Sequence, residues 1–316
     1  MFKEVINNMM KTQRIVLKKK VYFEDMANNW LLYKKISVKT STYYNYNYLV
    51  NKYLNSRFKR YSIDDFENYN INEMISELIE NLSAKTVKAI ISIFISILKY
   101  SEGKYDYRFN LEPIAMPKAK IYELKVFSVR EQLKIERYCI NNYNKKYLGI
   151  VLSLYTGLRI GEICALTWKD IDLKNRTIYV RRTLQRIYIS KNKTKILIDS
   201  PKSSHSIRKI PMCDKVYELL KDEKNEKEEN DFFLTGDGRY IEPRRYQYAF
   251  NNMLKELKIK ENNFHVLRHT FATNCIKVGM DAKSLSEILG HSTVNMTLNK
   301  YVHSSDKIKK KFLQKL

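Results

Sequence analysis

Residues 156–162 read TGLRIGE, and four further features follow in order: SPKSSHSIRKIP (200–211), HVLRH (265–269), LGH (289–291) and, ten residues on, Tyr301. They set out an arginine (Arg159), a lysine (Lys202), a His-x-x-Arg pair (His265 and Arg268), a histidine (His291) and a tyrosine. Those residue types make one chemical set. Attack on a phosphodiester adds negative charge to a phosphorus already shielded by anionic oxygens. A guanidinium answers that charge with two parallel hydrogen bonds and stays protonated throughout. Arg159 and Arg268 are the candidates for this task. A tyrosine with its reference pKa of about 10 is ionised to roughly one part in a thousand at pH 7, a handicap of roughly 4 kcal/mol. It therefore needs a base or cationic surroundings to act as a nucleophile. His265 is the candidate acceptor of its proton. Lys202, in a turn after Pro201, is the candidate donor to the oxygen that leaves. Among 24 tyrosines, Tyr301 is singled out only by its place after His291.

Two other readings of the same residues stay open at this level. Arg159 stands three residues before Glu162 and is placed to form a salt bridge with it. His265 and His269, at i and i+4 of a predicted helix, share a face and with His291 offer three nitrogen ligands to a metal. Position 266 is valine where a zinc-protease helix has glutamate, and no carboxylate or cysteine pair stands at ligand spacing, so no metal or other cofactor is expected. His269 reads as a hydrogen-bonded packing residue.

Outward from these segments, the chain divides by its breakers. No glycine precedes Gly103 and no proline precedes Pro113, although the chain has 8 and 5 of them. Residues 21–110 therefore read as helices, with apolar residues near a 3.6-residue period (Tyr46, Leu49, Val50, Tyr53, Leu54; then Val87, Ile90, Ile91, Phe94, Ile97). Four or five helices in a bundle are expected, the last capped by Ser83. A short basic segment, residues 1–20, precedes them. Residues 111–125, with Pro113 and Pro117 and no periodicity, read as a linker whose hinge would let two domains close on a duplex. The second domain, 126–301, opens with the capping box Ser128 to Glu131 and a helix through Cys139, then an apolar helix over 148–154 that ends near Gly157. Residues 177–212 carry β-branched runs and predict a small antiparallel sheet with Lys202 in the turn before its last strand. After Pro243 the pattern is helical again, with Gly279 and Gly290 as terminators. Residues 302–316 form a basic tail.

The formal charge is +24, with 20 Lys+Arg against 12 Asp+Glu over residues 1–120 and 38 against 22 over the remainder. Both halves thus suit a polyanion such as DNA, although an AT-rich genome enriches lysine in the same way. The four cysteines lack C-x-x-C spacing and read as reduced, buried thiols. There is neither a signal-peptide pattern nor an apolar run of membrane-spanning length, so a cytoplasmic, bacterial protein with no membrane partner is expected.

The ordered segments resemble the tyrosine recombinase family, the phage-type integrases: an Arg in T-G-x-R-x-x-E, a Lys on a β-hairpin, a His-x-x-Arg box, a Leu-Gly-His box and a nucleophilic Tyr. The likeness is strong over 127–301 and rests only on helical character and size over 21–101. The string SPKSSHSIRKIP is similar to integrases of mobile conjugative elements. The resemblance implies a mainly α, two-domain, C-shaped DNA clamp: a helical core-binding domain and a mixed α/β catalytic domain with a small antiparallel sheet. It implies a 3′-phosphotyrosine intermediate formed by Tyr301, with Arg159, Arg268 and His291 on the scissile phosphate, Lys202 as general acid and His265 assisting proton transfer, without metal or ATP. Glu162 would stand behind these residues. Implied partners are duplex DNA at core recombination sites, a homotetramer on that DNA, and an excisionase or DNA-bending accessory protein. The tail would pack on a neighbouring protomer. A type IB topoisomerase shares the Arg, Lys and Tyr chemistry, and a catalytically silent DNA-binding regulator is the rival outside enzymology.

Overall fold

The computed structural model describes residues 20–118, 124–190, 193–199, 207–223 and 228–301. Lys202, the basic segment before residue 20 and the tail after Tyr301 lie outside the described residues. The chain divides into two compact units, one comprising Met1–Ile121 with Tyr188–Lys193, the other Tyr122–Ile187 and Thr194–Leu316.

The first unit is helical. It contains α1 (Phe23–Ser37), α2 (Thr40–Leu49), α3 (Ile71–Asn81) and α4 (Ala84–Tyr105). Helix α2 runs on through a π-helical turn, Val50–Leu54, into a last turn, Asn55–Phe58. Leu49, Val50 and Leu54 are all buried along this stretch. Ser83 caps α4 by accepting from the Thr86 amide. At the centre, Phe23, Phe58, Phe66 and Phe94 are fully buried, with ring centroids 5.1–5.9 Å apart in mostly edge-on or tilted pairs. Such pairs contribute roughly 0.5–1.5 kcal/mol each beyond their area. Residues 111–118 have no regular structure, yet Leu111, Ile114 and Met116 pack on this core. Asn72 also clasps the segment, donating to the Pro113 carbonyl at 3.0 Å and accepting from the Ala115 amide at 2.8 Å.

The second unit begins with α5 (Val129–Asn141), whose capping box joins Ser128 and Glu131, and α6 (Lys145–Thr156). A short α7 (Ile160–Ala165) leads through a 3-10 turn, Trp168–Asp170, into the strands. The predicted sheet is two small sheets. Strands β1 (Ile171–Asp172), β2 (Thr177–Val180) and β5 (Arg208–Pro211) form one, in the antiparallel order β1-β2-β5, with Val180 opposite Arg208. Strands β3 (Thr183–Ser190) and β4 (Lys193–Asp199) pair separately, and belong to this unit up to Ile187 and from Thr194. Then come α8 (Asp214–Leu220), α9 (Pro243–Glu256), α10 (His265–Lys277), α11 (Ala282–Leu289) and α12 (Val294–Tyr301). The long core of this unit, which includes Leu152, Trp168, Ile210, Phe250 and Leu267, packs α6 between α5 and α10. Cys139, Cys164 and Cys275 are buried thiols, whereas Cys213, just before α8, is exposed. None of the described helices is long and apolar enough to cross a membrane.

Candidate active site

The site is built where two glycine-terminated helices end beside α10. Gly157 closes α6 in the left-handed conformation, φ +66°, and a Cβ there would meet Phe271 Cδ1 at 2.6 Å and Leu289 Cδ2 at 2.8 Å. Glycine is thus needed both for the turn and for the approach of α10 and α11. Two residues on, Arg159 is the N-cap of α7, and Glu162 reaches back to accept from its backbone amide at 2.9 Å. Gly290 ends α11 in the same way, φ +63°, with the His291 amide returning to the Ser286 carbonyl at 3.0 Å.

Three guanidiniums meet at this junction. Arg268, on the inner face of α10 and 1% exposed, donates to the carbonyls of Gly157 at 3.0 Å and Leu289 at 2.7 Å. Arg159 donates to the Glu162 carboxylate at 2.6 Å and to the Gly290 carbonyl at 3.0 Å, and remains partly exposed. Arg208, from β5, donates to both oxygens of Glu162 at 3.0 and 2.9 Å and to the Ile288 carbonyl at 2.5 Å. Three consecutive carbonyls at the negative end of α11 therefore each receive one arginine. Burial alone would raise the pKa of Glu162. Arg208, then Arg159 and Arg268, outweigh it and hold the carboxyl at about 2. Among the described residues, Glu162 is the carboxylate that meets these guanidiniums, one negative charge against three positive. Burial, with Arg159 next, brings Arg268 down to about 9, still protonated at neutral pH. Among the described residues, Arg268 Nε has no hydrogen-bond partner.

Around these arginines stand three histidines and Tyr301. The Tyr301 ring is 5% exposed, packed with Ala272, Cys275, Leu285 and Leu289, and its hydroxyl lies 2.8 Å from His269 Nδ1. The His265 ring meets that of His269 edge-on at 4.5 Å, and the His291 ring lies parallel to Tyr301 at 6.3 Å. His291 Nδ1 is tied to Thr297 Oγ1 of α12 at 2.8 Å. Burial first, then neighbouring cations, lowers His265 to about 4 and His269 and His291 to about 3, so all three are neutral at pH 7. Burial raises the pKa of Tyr301, against the pull of Arg268 and Arg159, so the phenol keeps its proton.

The structure thus brings together Arg159, His265, Arg268, His291 and Tyr301, while Lys202 lies outside the described residues. The salt bridge between Arg159 and Glu162 is present, and it coexists with a guanidinium that still reaches the surface. Among the described residues no three His, Cys, Asp or Glu side chains converge to hold a metal. Two residues at the junction carried no catalytic reading in the sequence. His269, read as packing, holds the tyrosine hydroxyl because it lies one helical turn beyond His265 on the same face. Arg208 stands inside a strand, where no motif marks it. The signal was in the alternation: position 208 shares its strand face with Ile210 and Met212, both buried, whereas Ile207 and Lys209 point outward.

A family model described as the phage integrase family matches residues 124–307, and one for the phage integrase N-terminal SAM-like domain matches residues 22–79. The chain is 27% identical over 308 residues to a tyrosine recombinase, XerC-like, of Caldanaerobacter subterraneus, covering 88% of this chain and 78% of that protein. It is 30% identical over 234 residues to the transposase of transposon Tn916 from Enterococcus faecalis, covering 68% of this chain and 56% of the transposase. Among solved structures, the integrase of transposon Tn1549 in complex with a circular intermediate DNA superposes with a TM-score of 0.76 at 25% identity, over 94% of this chain and 100% of that one. A lambda integrase dimer bound to a core site shares the fold, with a TM-score of 0.63 at 17% identity over 92% of this chain and 80% of that one. With more than half of its residues under a single family model, the chain belongs to the phage integrase family, the tyrosine recombinases.

Proposed function

We propose that this chain is the integrase of a transposon-type mobile element, which cleaves and rejoins duplex DNA for its integration and excision. The observation that carries the reading is the Tyr301 hydroxyl, hydrogen-bonded to a neutral histidine at 2.8 Å beside a cluster of arginines. In the proposed step, Tyr301 Oη bonds to phosphorus, the P–O5′ bond breaks, and a 3′-phosphotyrosine forms. The phenolic proton passes to His269, with His265 as its neighbour, and the leaving 5′ oxygen takes a proton from Lys202. Attack by a 5′ hydroxyl from another strand runs the sequence backwards and restores the phosphodiester, so bond energy is conserved.

Arg159, Arg268 and His291 hold the scissile phosphate in this proposal, and the Arg268 Nε donor is suited to one of its oxygens. Removing one such donor typically slows a reaction by about a hundredfold to a thousandfold. Residues 21–110 serve as the core-binding domain, 111–125 as linker, 126–301 as the catalytic domain, and the tail 302–316 packs on a neighbouring protomer. The complex of the Tn1549 integrase with a circular intermediate DNA supports DNA as the partner, and duplex DNA at core recombination sites is the form proposed here. A homotetramer on DNA, an accessory excisionase or bending protein, and a cytoplasmic site of action complete the proposal. The test is excision of a plasmid-borne element in cells: wild type yields the closed circle and Tyr301→Phe yields none. Equal circle formation by the two would overturn the reading.

A further inference from the structure

We propose that Arg208 is a positioning residue of the cleavage reaction, fixing both the carboxylate that aims Arg159 and the helix end that presents His291. The inference rests on the proposed recombinase reading of the site. Arg208 enters from a different part of the fold than the other two arginines. It comes from β5, held in register by Val180 of β2, and crosses to the ends of α7 and α11.

Its three donor groups are all committed: Nη1 and Nη2 to the two oxygens of Glu162, Nε to the Ile288 carbonyl. It is 9% exposed, so it reinforces groups behind the reacting surface, and Arg159 remains the more accessible partner of the same carboxylate. Glu162 stands between them. Its Oε1 accepts from Arg159 at 2.6 Å and from Arg208 at 3.0 Å, so the direction of the Arg159 fork depends on where Arg208 pins the carboxylate. At the other end, Ile288 is three residues before His291. A guanidinium on its carbonyl fixes the turn through Gly290 from which both the Arg159 acceptor and the His291 ring project. A shift of about 1 Å in such groups costs on the order of a hundredfold in rate. Lysine at 208 keeps the charge but not the planar fork, and so cannot hold two carboxylate oxygens and a carbonyl together.

The experiment compares wild type, Arg208→Met, Arg208→Lys, Glu162→Gln and the double variant Arg208→Met/Glu162→Gln on a nicked duplex carrying the element's crossover site. DNA affinity and the single-turnover rate of Tyr301 adduct formation are measured separately. We expect affinity within about threefold of wild type and a rate reduced by about a hundredfold in Arg208→Met, with Arg208→Lys between the two. We expect the double variant to be no slower than the slower single variant, because both residues act through one arrangement. An unchanged rate in Arg208→Met, or single effects that multiply in the double variant together with a loss of affinity, would overturn the proposal. If Arg208→Met fails to fold, Arg208→Lys carries the test: a folded protein with wild-type rate refutes it. Absence of a Tyr301 adduct in wild type would instead sink the recombinase reading itself.

Discussion

Replacing Glu162 with glutamine removes the carboxylate that Arg159 and Arg208 share, and its cost should depend on pH in a defined way. The carboxyl is held at about 2 against an ordinary 4.5, which at about 1.36 kcal/mol per pH unit amounts to about 3 kcal/mol. Glu162 is 3% exposed, so solvent screening does little to reduce that figure. Because the folded pKa is the lower one, the contribution is complete above about pH 5 and is lost as pH falls from 4.5 toward 2. At pH 7 Glu162→Gln should therefore be less stable than wild type by about 3 kcal/mol, within the range for breaking a buried ion pair from one side. The gap should narrow steadily between pH 5 and pH 3. Urea denaturation, followed by the fluorescence of buried Trp168 in a Trp30→Phe background, confines the reading to the second unit. Taking the difference between the two proteins at each pH cancels the titration of every other carboxyl. A gap near zero at pH 7, or one that stays constant down to pH 3, would refute the reasoning.

The remaining predictions concern the neighbours of that carboxylate. Gly157→Ala forces an alanine to φ +66° and drives its Cβ into Phe271 and Leu289, and should destabilise the second unit by about 2–4 kcal/mol in the same denaturation assay. His269→Ala should slow adduct formation on a nicked duplex by about a hundredfold, and His265→Ala by less, since of these two histidines it is His269 that hydrogen-bonds the hydroxyl. The reverse order would return the proton to His265. The depressed histidines, at about 4, 3 and 3, should show no titration of their ring C–H proton signals between pH 8 and pH 5, a result that site-assigned nuclear magnetic resonance checks directly. By the same sign rule, staying neutral in the fold means that each loses stabilising effect as pH drops below the ordinary 6.5.

Much of this arrangement was legible locally. The Ser128 to Glu131 capping box, the cap at Ser83 and the terminators Gly157 and Gly290 each act within a few residues, so the sequence carries the whole cause. Long-range causes were not legible. The β-branched pattern over 177–190 is continuous, but the strand breaks at Arg181 and Arg182, where Arg182 turns to buried Asp170 at 2.8 Å and Arg181 approaches the same carboxylate at 3.6 Å. Nothing within the run announces that partner. The π-helical turn at Val50–Leu54, whose Val50 and Leu54 are fully buried, has no local mark in the sequence either. Within the site, the motif order placed Arg159 and Arg268 at one junction, whereas which histidine meets Tyr301 depended on how far α10 carries its face before α12 crosses it. Arg208 could have been found by weighing an inward strand position that bears a charge, which is costly unless paired.

The most direct test of the account is to identify the bond it predicts. Protein is incubated with a nicked duplex spanning the crossover site, denatured, digested, and the DNA-linked peptide is sequenced by mass spectrometry. The account predicts a single peptide joined through the Tyr301 oxygen to a 3′ phosphate, formed by wild type and absent from Tyr301→Phe. Linkage through a different residue, or the same adduct in Tyr301→Phe, would contradict it.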